Sequence, residues 1–268
     1  EVILRGDSPM GPYKAWDKNP ILTQRHLDPS RPEPITCAGH ADLVQTAEGD
    51  WWSVFLACRP IDGKFENLGR ETFLLPVRWS EDGFPYLTQG DEVIPMVVQK
   101  KGITKDSKVT FGNFSVTENF DSTKLAMEWM TMRTPAKDLY SLTDHPGYLS
   151  LKCSENPTTD KNTPAFVCRR IQHHKFESSV DMYFNPSNEN ETAGFLLYKD
   201  ERHQYFLSTG IEADQKFVSL NKVSKSGNEI IAKEAIGKKA EMINLKIVSN
   251  GTHFSFYYST GDISNKLL

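Results

Sequence analysis

Short runs in which apolar and polar residues alternate dominate the hydropathy pattern of the chain. Clear examples are residues 51–57, 72–79, 179–184 and 253–258, each rich in β-branched and aromatic residues. Alternation with a period of two residues is typical of β-strands, and Gly, Pro, Asn and Asp turns separate these runs. Residues 123–130 alone suggest a helix, and they are too short to establish one. The sequence therefore predicts a nearly all-β fold.

The rhythm of the predicted strands changes near residues 96–108. Before this point, residues 38–79 follow the order strand, turn, strand, tight turn, which is typical of a propeller blade. After it, strands recur at intervals of about ten residues, as in an antiparallel sandwich. We therefore predict a propeller part, a linker and a sandwich domain over residues 1–98, 99–107 and 108–268.

The charge pattern argues against several classes of partner. The formal net charge is −4 and the Lys and Arg residues are scattered, so we expect no binding to nucleic acid or to an anionic membrane surface. No apolar run approaches the roughly 18 residues that span a bilayer. We therefore expect neither a nucleic-acid nor a membrane partner.

Three potential N-glycosylation sites favour a secreted protein. Asn113, Asn190 and Asn250 each begin an Asn-x-Ser/Thr sequon without an intervening proline. Residues 1–5 do not resemble a signal peptide, so such a segment would have been removed or the chain is a fragment. On this basis we expect an extracellular location and glycosylation at these asparagines.

The four cysteines support the same compartment, because an even number allows disulfide bonds. They are Cys37, Cys58, Cys153 and Cys168, spaced too widely for a Cys-x-x-Cys metal clamp. Three pairings are possible; 37–58 and 153–168 each enclose one turn-like stretch and would suit loop-closing bridges. The alternative is four ordinary buried thiols.

Two segments carry candidate chemistry. In the strand 37–44, His40 and Asp42 share a face if the two-residue alternation is regular. Arg70 enters a strand with a buried pattern, and a buried guanidinium needs partners for its five donors. A functional arginine would hold carboxylates or sugar hydroxyls. The structural alternatives are a core histidine bound to a backbone carbonyl and an ion pair of Arg70 with Glu71 or Asp42.

These two segments resemble the two-domain β-xylosidases and α-arabinofuranosidases of glycoside hydrolase family 43. The resemblance rests on Ala38-Gly39-His40-Ala41-Asp42 and Leu68-Gly69-Arg70-Glu71-Thr72 in this order, and it extends to the sandwich-like segments 147–151, 166–170 and 193–198. It implies the C-terminal part of a five-bladed β-propeller, followed by a concanavalin-like β-sandwich.

The resemblance also implies an inverting glycosidase that acts on xylo- or arabino-oligosaccharides. An inverting enzyme holds its acid and base about 6.5–9.5 Å apart, with water between them. In this family those carboxylates come from earlier blades, so we assign neither the acid nor the base to this chain. His40 and Arg70 are the expected substrate-binding residues, and Asp42 is a weaker candidate that would orient His40. No cofactor is required, although in some members this histidine lies beside a central calcium ion.

The missing front of the propeller predicts a partner, either an N-terminal fragment of the same precursor or another chain. We also expect the sandwich to be incomplete at its C-terminus. Two other hypotheses remain open: a non-catalytic carbohydrate-binding protein on the same scaffold, and a structural β-protein in which His40 and Arg70 have no role.

Overall fold

The computed structural model describes residues 1–100, 102, 112–237 and 240–268, which form strands, turns and loops without a helix. This confirms the predicted all-β fold. Accordingly, the described residues include no helix that is long and apolar enough to cross a membrane. Two compact units are present, Glu1–Val109 with Gln172–His174, and Thr110–Ile171 with Lys175–Leu268. Most of the predicted linker lies outside the described residues, so the predicted domain boundaries stay a prediction.

The strands of the first unit are short except in one central sheet. They are β1 (Leu4–Gly6), β2 (Tyr13–Ala15), β3 (Thr36–Gln45), β4 (Trp51–Cys58), β5 (Glu71–Pro76), β6 (Arg78–Trp79) and β7 (Pro85–Tyr86).

The central sheet of this unit is antiparallel, with the strand order β3-β4-β5. One face buries Phe55, Ala57 and Leu75 in a core that also contains Trp16 and Ile35. On the opposite face Trp52 is buried, whereas Val44, Val54 and Leu74 are 49%, 38% and 46% accessible to solvent. Val54 pairs with both Asp42 and Leu74, which places these residues on one face.

The second unit contains most of the strands. They are β8 (Met130–Thr131), β9 (Tyr140–Ser141), β10 (Ser150–Leu151), β11 (Val167–Cys168), β12 (Lys175–Tyr183), β13 (Ala193–Asp200), β14 (His203–Glu212), β15 (Gln215–Ser224), β16 (Gly227–Ala235), β17 (Met242–Asn250), β18 (Phe254–Ser259) and β19 (Lys266–Leu267).

Two four-stranded antiparallel sheets, with the orders β12-β17-β18-β19 and β13-β14-β15-β16, contain the long strands of the second unit, and β8 to β11 form two small pairs, β8-β11 and β9-β10. Leu207 and Val218 from one sheet pack in the same core as Leu245 and Tyr258 from the other. Buried and half-buried residues alternate along β17, as expected of a strand with one face on the core. This unit is therefore a sandwich of two sheets.

Candidate functional site

His40 lies on an irregular part of β3. The register between β3 and β4 shifts on both sides of Gly39, and Cys37 and His40 have φ angles of 54° and 57°. A left-handed conformation is uncommon for residues other than glycine, and bulges of this kind redirect side chains at a sheet edge. The backbone N–H of His40 donates to Glu1 Oε2 at 2.8 Å. His40 is exposed.

The same irregularity changes the expected relation between His40 and Asp42. Four residues of β3, from Gly39 to Asp42, lie opposite three of β4, from Leu56 to Val54. The simple two-residue alternation is therefore interrupted between His40 and Asp42. Both residues are exposed, and the described hydrogen bonds include none between their side chains. Asp42 as a substrate-binding residue stays a prediction.

Arg70 differs from its sequence-based expectation in two ways. It is exposed rather than buried, because it ends the loop before β5, directly after Gly69 with a φ of 68°. It also makes no ion pair with Glu71, because that carboxylate is already bound by Arg59. The prediction of a buried Arg70 guanidinium was therefore wrong, and so was the alternative of an ion pair between Arg70 and Glu71. Within the described part of the chain, the Arg70 guanidinium makes no hydrogen bond or ion pair.

Arg59 and Glu71 form the ion pair that the sequence did not indicate. Arg59 Nε donates to Glu71 Oε2 at 2.9 Å, and Nη2 donates to Oε1 at 2.7 Å. These hydrogen bonds raise the pKa of Arg59, against the effect of burial. A two-bonded pair of this type fixes the geometry of both partners. Arg59 thus binds Glu71, the first residue of β5. Arg70, which precedes Glu71, is exposed to solvent.

His40 and Arg70 lie toward the same end of one sheet. The register places Gly39 opposite Leu56, and Glu71 opposite Ala57. Since β4 lies between β3 and β5, two strand spacings separate the outer strands, or roughly 10 Å. The structure therefore places both predicted residues, each exposed, at the same end of this sheet.

Two cavities of the first unit lie away from His40 and Arg70. Their volumes are about 370 and 660 Å³, and neither is lined by His40 or Arg70. Thr88 lines both, so they lie beside the segment that follows β7.

The two adjacent tryptophans of β4 are packing residues. Trp52 is buried, and the ring of Trp51 meets that of Trp79 edge-on, with centroids 5.6 Å apart. Neighbouring residues on a strand face opposite ways, so the pair does not form a single sugar-stacking platform.

The four cysteines are free thiols in the structure, and disulfide bonds at Cys37, Cys58, Cys153 and Cys168 stay a prediction. Cys58 pairs in register with Thr36 rather than with Cys37, and Cys37 Sγ contacts Glu66 Oε1 at 3.5 Å. Cys168 lies opposite Met130 of β8 rather than Cys153.

The predicted glycosylation sites are open to solvent. Asn113, Asn190 and Asn250 are all exposed. Glycosylation at these positions stays a prediction.

The described residues around His40 offer few potential ligands for a calcium ion. Calcium requires six to eight oxygen ligands in most protein sites. Within the described residues, His40 belongs to no group of three or more His, Cys, Asp or Glu donors. The residues present do not by themselves build a calcium site, and calcium binding stays a prediction.

Comparison with known proteins connects both units to one family. The profile of "Glycosyl hydrolases family 43" matches residues 1–85. The profile of the "Beta xylosidase C-terminal Concanavalin A-like domain" matches residues 117–267. The chain belongs to glycoside hydrolase family 43. The match confirms the resemblance seen in the sequence and identifies the sandwich as the concanavalin-like domain of this family.

Relatives within family 43 align along most of the chain. A non-reducing end α-L-arabinofuranosidase of Bacteroides ovatus is 33% identical over 98% of this chain and 48% of its own length. A xylosidase/arabinosidase of Butyrivibrio fibrisolvens is 36% identical over 71% of this chain and 36% of its own.

Solved family 43 structures share the fold. A Bacteroides ovatus protein described as xyloglucan PUL GH43B has a TM-score of 0.87 at 31% identity, over 100% of this chain and 51% of that one. A Bacillus licheniformis family 43 protein has a TM-score of 0.80 at 30% identity, over 99% and 50% of the two chains. The family fold of a propeller followed by a sandwich therefore applies to this chain. The chain spans about half or less of the length of these relatives.

Proposed function

We propose that the chain forms part of an inverting glycosidase that hydrolyses β-1,4-xylosidic or α-L-arabinofuranosidic bonds in xylan-derived saccharides. The observation that carries this proposal is the exposure of His40 and Arg70 at one end of the β3-β4-β5 sheet. The family 43 relatives are named for xylosidase and arabinofuranosidase activities, which supports the two pentoside classes.

In this proposal, Arg70 binds sugar hydroxyls and holds a catalytic carboxylate in its ionised form. Its guanidinium offers five donors, and none is used by the described chain. A cation near a carboxylate lowers the pKa of that acid, which keeps a general base ionised near neutral pH. His40 contributes one ring nitrogen to the sugar or to a neighbouring carboxylate. The acid and base that flank the scissile bond come from other strands of the propeller.

The exposed apolar face of the central sheet supports a partner for this unit. Propeller blades pack against their neighbours through apolar faces, whereas Val44, Val54 and Leu74 are open to solvent. A contiguous exposed apolar face marks an interaction surface. We infer that the other propeller blades, from the same precursor or another chain, cover this face and complete the cleft. The greater length of the family 43 relatives is consistent with this inference.

Secretion belongs to the same proposal, because xylan is an extracellular polymer and the three sequon asparagines are exposed. A mass difference on enzymatic removal of N-glycans from native material tests it. We expect a mass loss that disappears when Asn113, Asn190 and Asn250 are replaced together by Gln.

The experiment that tests the activity uses the whole glycosidase with para-nitrophenyl β-xyloside, para-nitrophenyl α-arabinofuranoside and xylo-oligosaccharides. Proton NMR of the first-formed sugar reports its anomeric configuration. We expect hydrolysis with an inverted product. A retained product would contradict the mechanism, and binding of xylo-oligosaccharides without any sugar release would favour a non-catalytic carbohydrate-binding protein.

A further inference from the structure

Three side chains with metal-binding atoms meet beside the irregular part of β3. The Sγ atoms of Cys37 and Cys58 and a carboxylate oxygen of Glu66 all lie within 4.8 Å of one another. This is the one such group of three His, Cys, Asp or Glu donors in the part of the chain that the structure describes. We propose that Cys37, Cys58 and Glu66 form a binding site for a thiophilic divalent cation of the zinc class.

The distances fit the size of such an ion. Zinc binds thiolate sulfur at about 2.3 Å and carboxylate oxygen at about 2.0–2.2 Å in tetrahedral geometry. A sulfur and an oxygen on one tetrahedron are then roughly 3.5 Å apart. Cys37 Sγ and Glu66 Oε1 are 3.5 Å apart in the structure. The Cys58 sulfur lies within 4.8 Å of both atoms.

The backbone holds the three donors in place. Thr36 lies opposite Cys58 in the register. The next residue, Cys37, has a left-handed backbone conformation. Glu66 lies in the loop between β4 and β5, where Thr36 Oγ1 donates to its Oε1 at 2.9 Å. A hydrogen bond of this kind orients a ligating carboxylate, as second partners of metal ligands commonly do.

The choice of ion follows from the donor atoms. Two sulfurs disfavour calcium and magnesium, which bind oxygen, and favour zinc-class ions. Cys58 is buried, whereas Cys37 and Glu66 are exposed. The site therefore has one buried ligand, Cys58, and is open to solvent on the side of Cys37 and Glu66. This opening gives the ion an entry path and leaves a fourth coordination position for water.

The presence of Glu66 separates this proposal from a simple disulfide. Joining Cys37 and Cys58 requires the sulfurs to approach to about 2.05 Å and gives no role to the carboxylate. A metal site uses all three groups. Substitution of Glu66 therefore distinguishes the two cases.

The test uses the whole glycosidase after reduction and removal of the reductant under anaerobic conditions. Cobalt(II) serves as a spectroscopic probe, and zinc affinity is measured by competition with a chromophoric chelator. We expect a thiolate-to-cobalt charge-transfer band that zinc abolishes. Cys37→Ser and Cys58→Ser remove the band, and Glu66→Gln weakens zinc binding by about 10-fold or more.

The control is the double variant Cys153→Ser/Cys168→Ser, which keeps the three ligands and should bind zinc as the parent does. Glu66 is exposed, so we expect Glu66→Gln to leave the fold intact. Circular dichroism checks this expectation. Equal zinc affinity in the parent and in Cys58→Ser or Glu66→Gln would overturn the proposal. So would a reduced protein that binds no zinc but joins Cys37 to Cys58 when a disulfide oxidant such as oxidised glutathione is added.

Discussion

Arg59 and Glu71 connect the end of β4 to the start of β5 through two hydrogen bonds of 2.9 and 2.7 Å. The side chains are 28% and 24% exposed, so solvent screens the pair only in part. Arg70 directly precedes Glu71, the first residue of β5. The ion pair therefore fixes the backbone position from which the Arg70 side chain extends.

Glu71→Gln should therefore lower the stability of the first unit. We expect a loss of about 1 kcal/mol in the free energy of unfolding, since a charge-assisted pair is replaced by one neutral hydrogen bond. Urea unfolding followed by tryptophan fluorescence measures this change. Glu81→Gln, at an exposed turn position, is the control, and an equal effect of both variants would contradict the role of the pair.

Glu92 predicts a pH dependence of stability. Its hydrogen bonds with Arg78, one of them 2.9 Å long, lower its pKa below the ordinary value of 4.5, against the effect of burial. A carboxyl with a lowered pKa in the folded state contributes stability above its unfolded pKa, and loses that contribution as the pH falls through the folded pKa. In Glu92→Gln, the loss of stability between about pH 7 and pH 3 should be smaller than in the parent. Thermal unfolding at a series of pH values measures the difference, and parallel curves for parent and variant would contradict it.

Gly194 lies where β13 and β14 are too close together to admit a Cβ atom. A Cβ atom at this position would lie 2.1 Å from the carbonyl oxygen of Leu207 and 2.6 Å from Ser208 Cα. Both are backbone atoms, so the strands must separate to admit a methyl group. Gly194→Ala should destabilise the sandwich by about 3 kcal/mol. Gly261→Ala, where a Cβ meets nothing within 4 Å, should leave the unfolding midpoint unchanged.

The exposed face of the central sheet predicts the effect of a charge at Val54. If other propeller blades cover this face, Val54→Asp buries an unpaired carboxylate and weakens the association by at least about 10-fold. Native mass spectrometry of the parent and variant, compared with denaturing conditions, measures the fraction of associated material. Ile230→Asp, at an exposed position of the sandwich, is the matched control. Full association of the Val54→Asp protein would contradict the proposed contact.

The sequence predicted the strands well because their burial follows a two-residue period. Residues 51–57 and 253–258 became β4 and β18, and the segments around His40 and Arg70 identified the family. Local patterns carried less information about side-chain environment. Alternation alone does not reveal a bulge, so the left-handed His40 and the interrupted relation to Asp42 were not predicted.

Pairs formed between distant residues were also missed. Nothing in the loop sequence indicated that Arg59, rather than Arg70, would bind Glu71, since both arginines flank the same loop. The proximity of Cys37 and Cys58 was anticipated as a disulfide, whereas Glu66 had no sequence signal as a third donor. These contacts depend on how the loop between β4 and β5 returns to the sheet, which local hydropathy does not encode.

The central claim is that this chain contributes a histidine and an arginine to a shared sugar cleft. Its most direct test is the kcat/KM of the whole glycosidase on para-nitrophenyl β-xyloside and α-arabinofuranoside after Arg70→Ala or His40→Ala. Arg202→Ala and His145→Ala, at exposed sandwich positions, are the matched controls. We predict a fall of about 10- to 100-fold for each cleft variant on the preferred substrate, as expected when a charged or polar group loses its hydrogen bonds to the substrate, and no change for the controls. Unchanged kcat/KM in both Arg70→Ala and His40→Ala would contradict the claim.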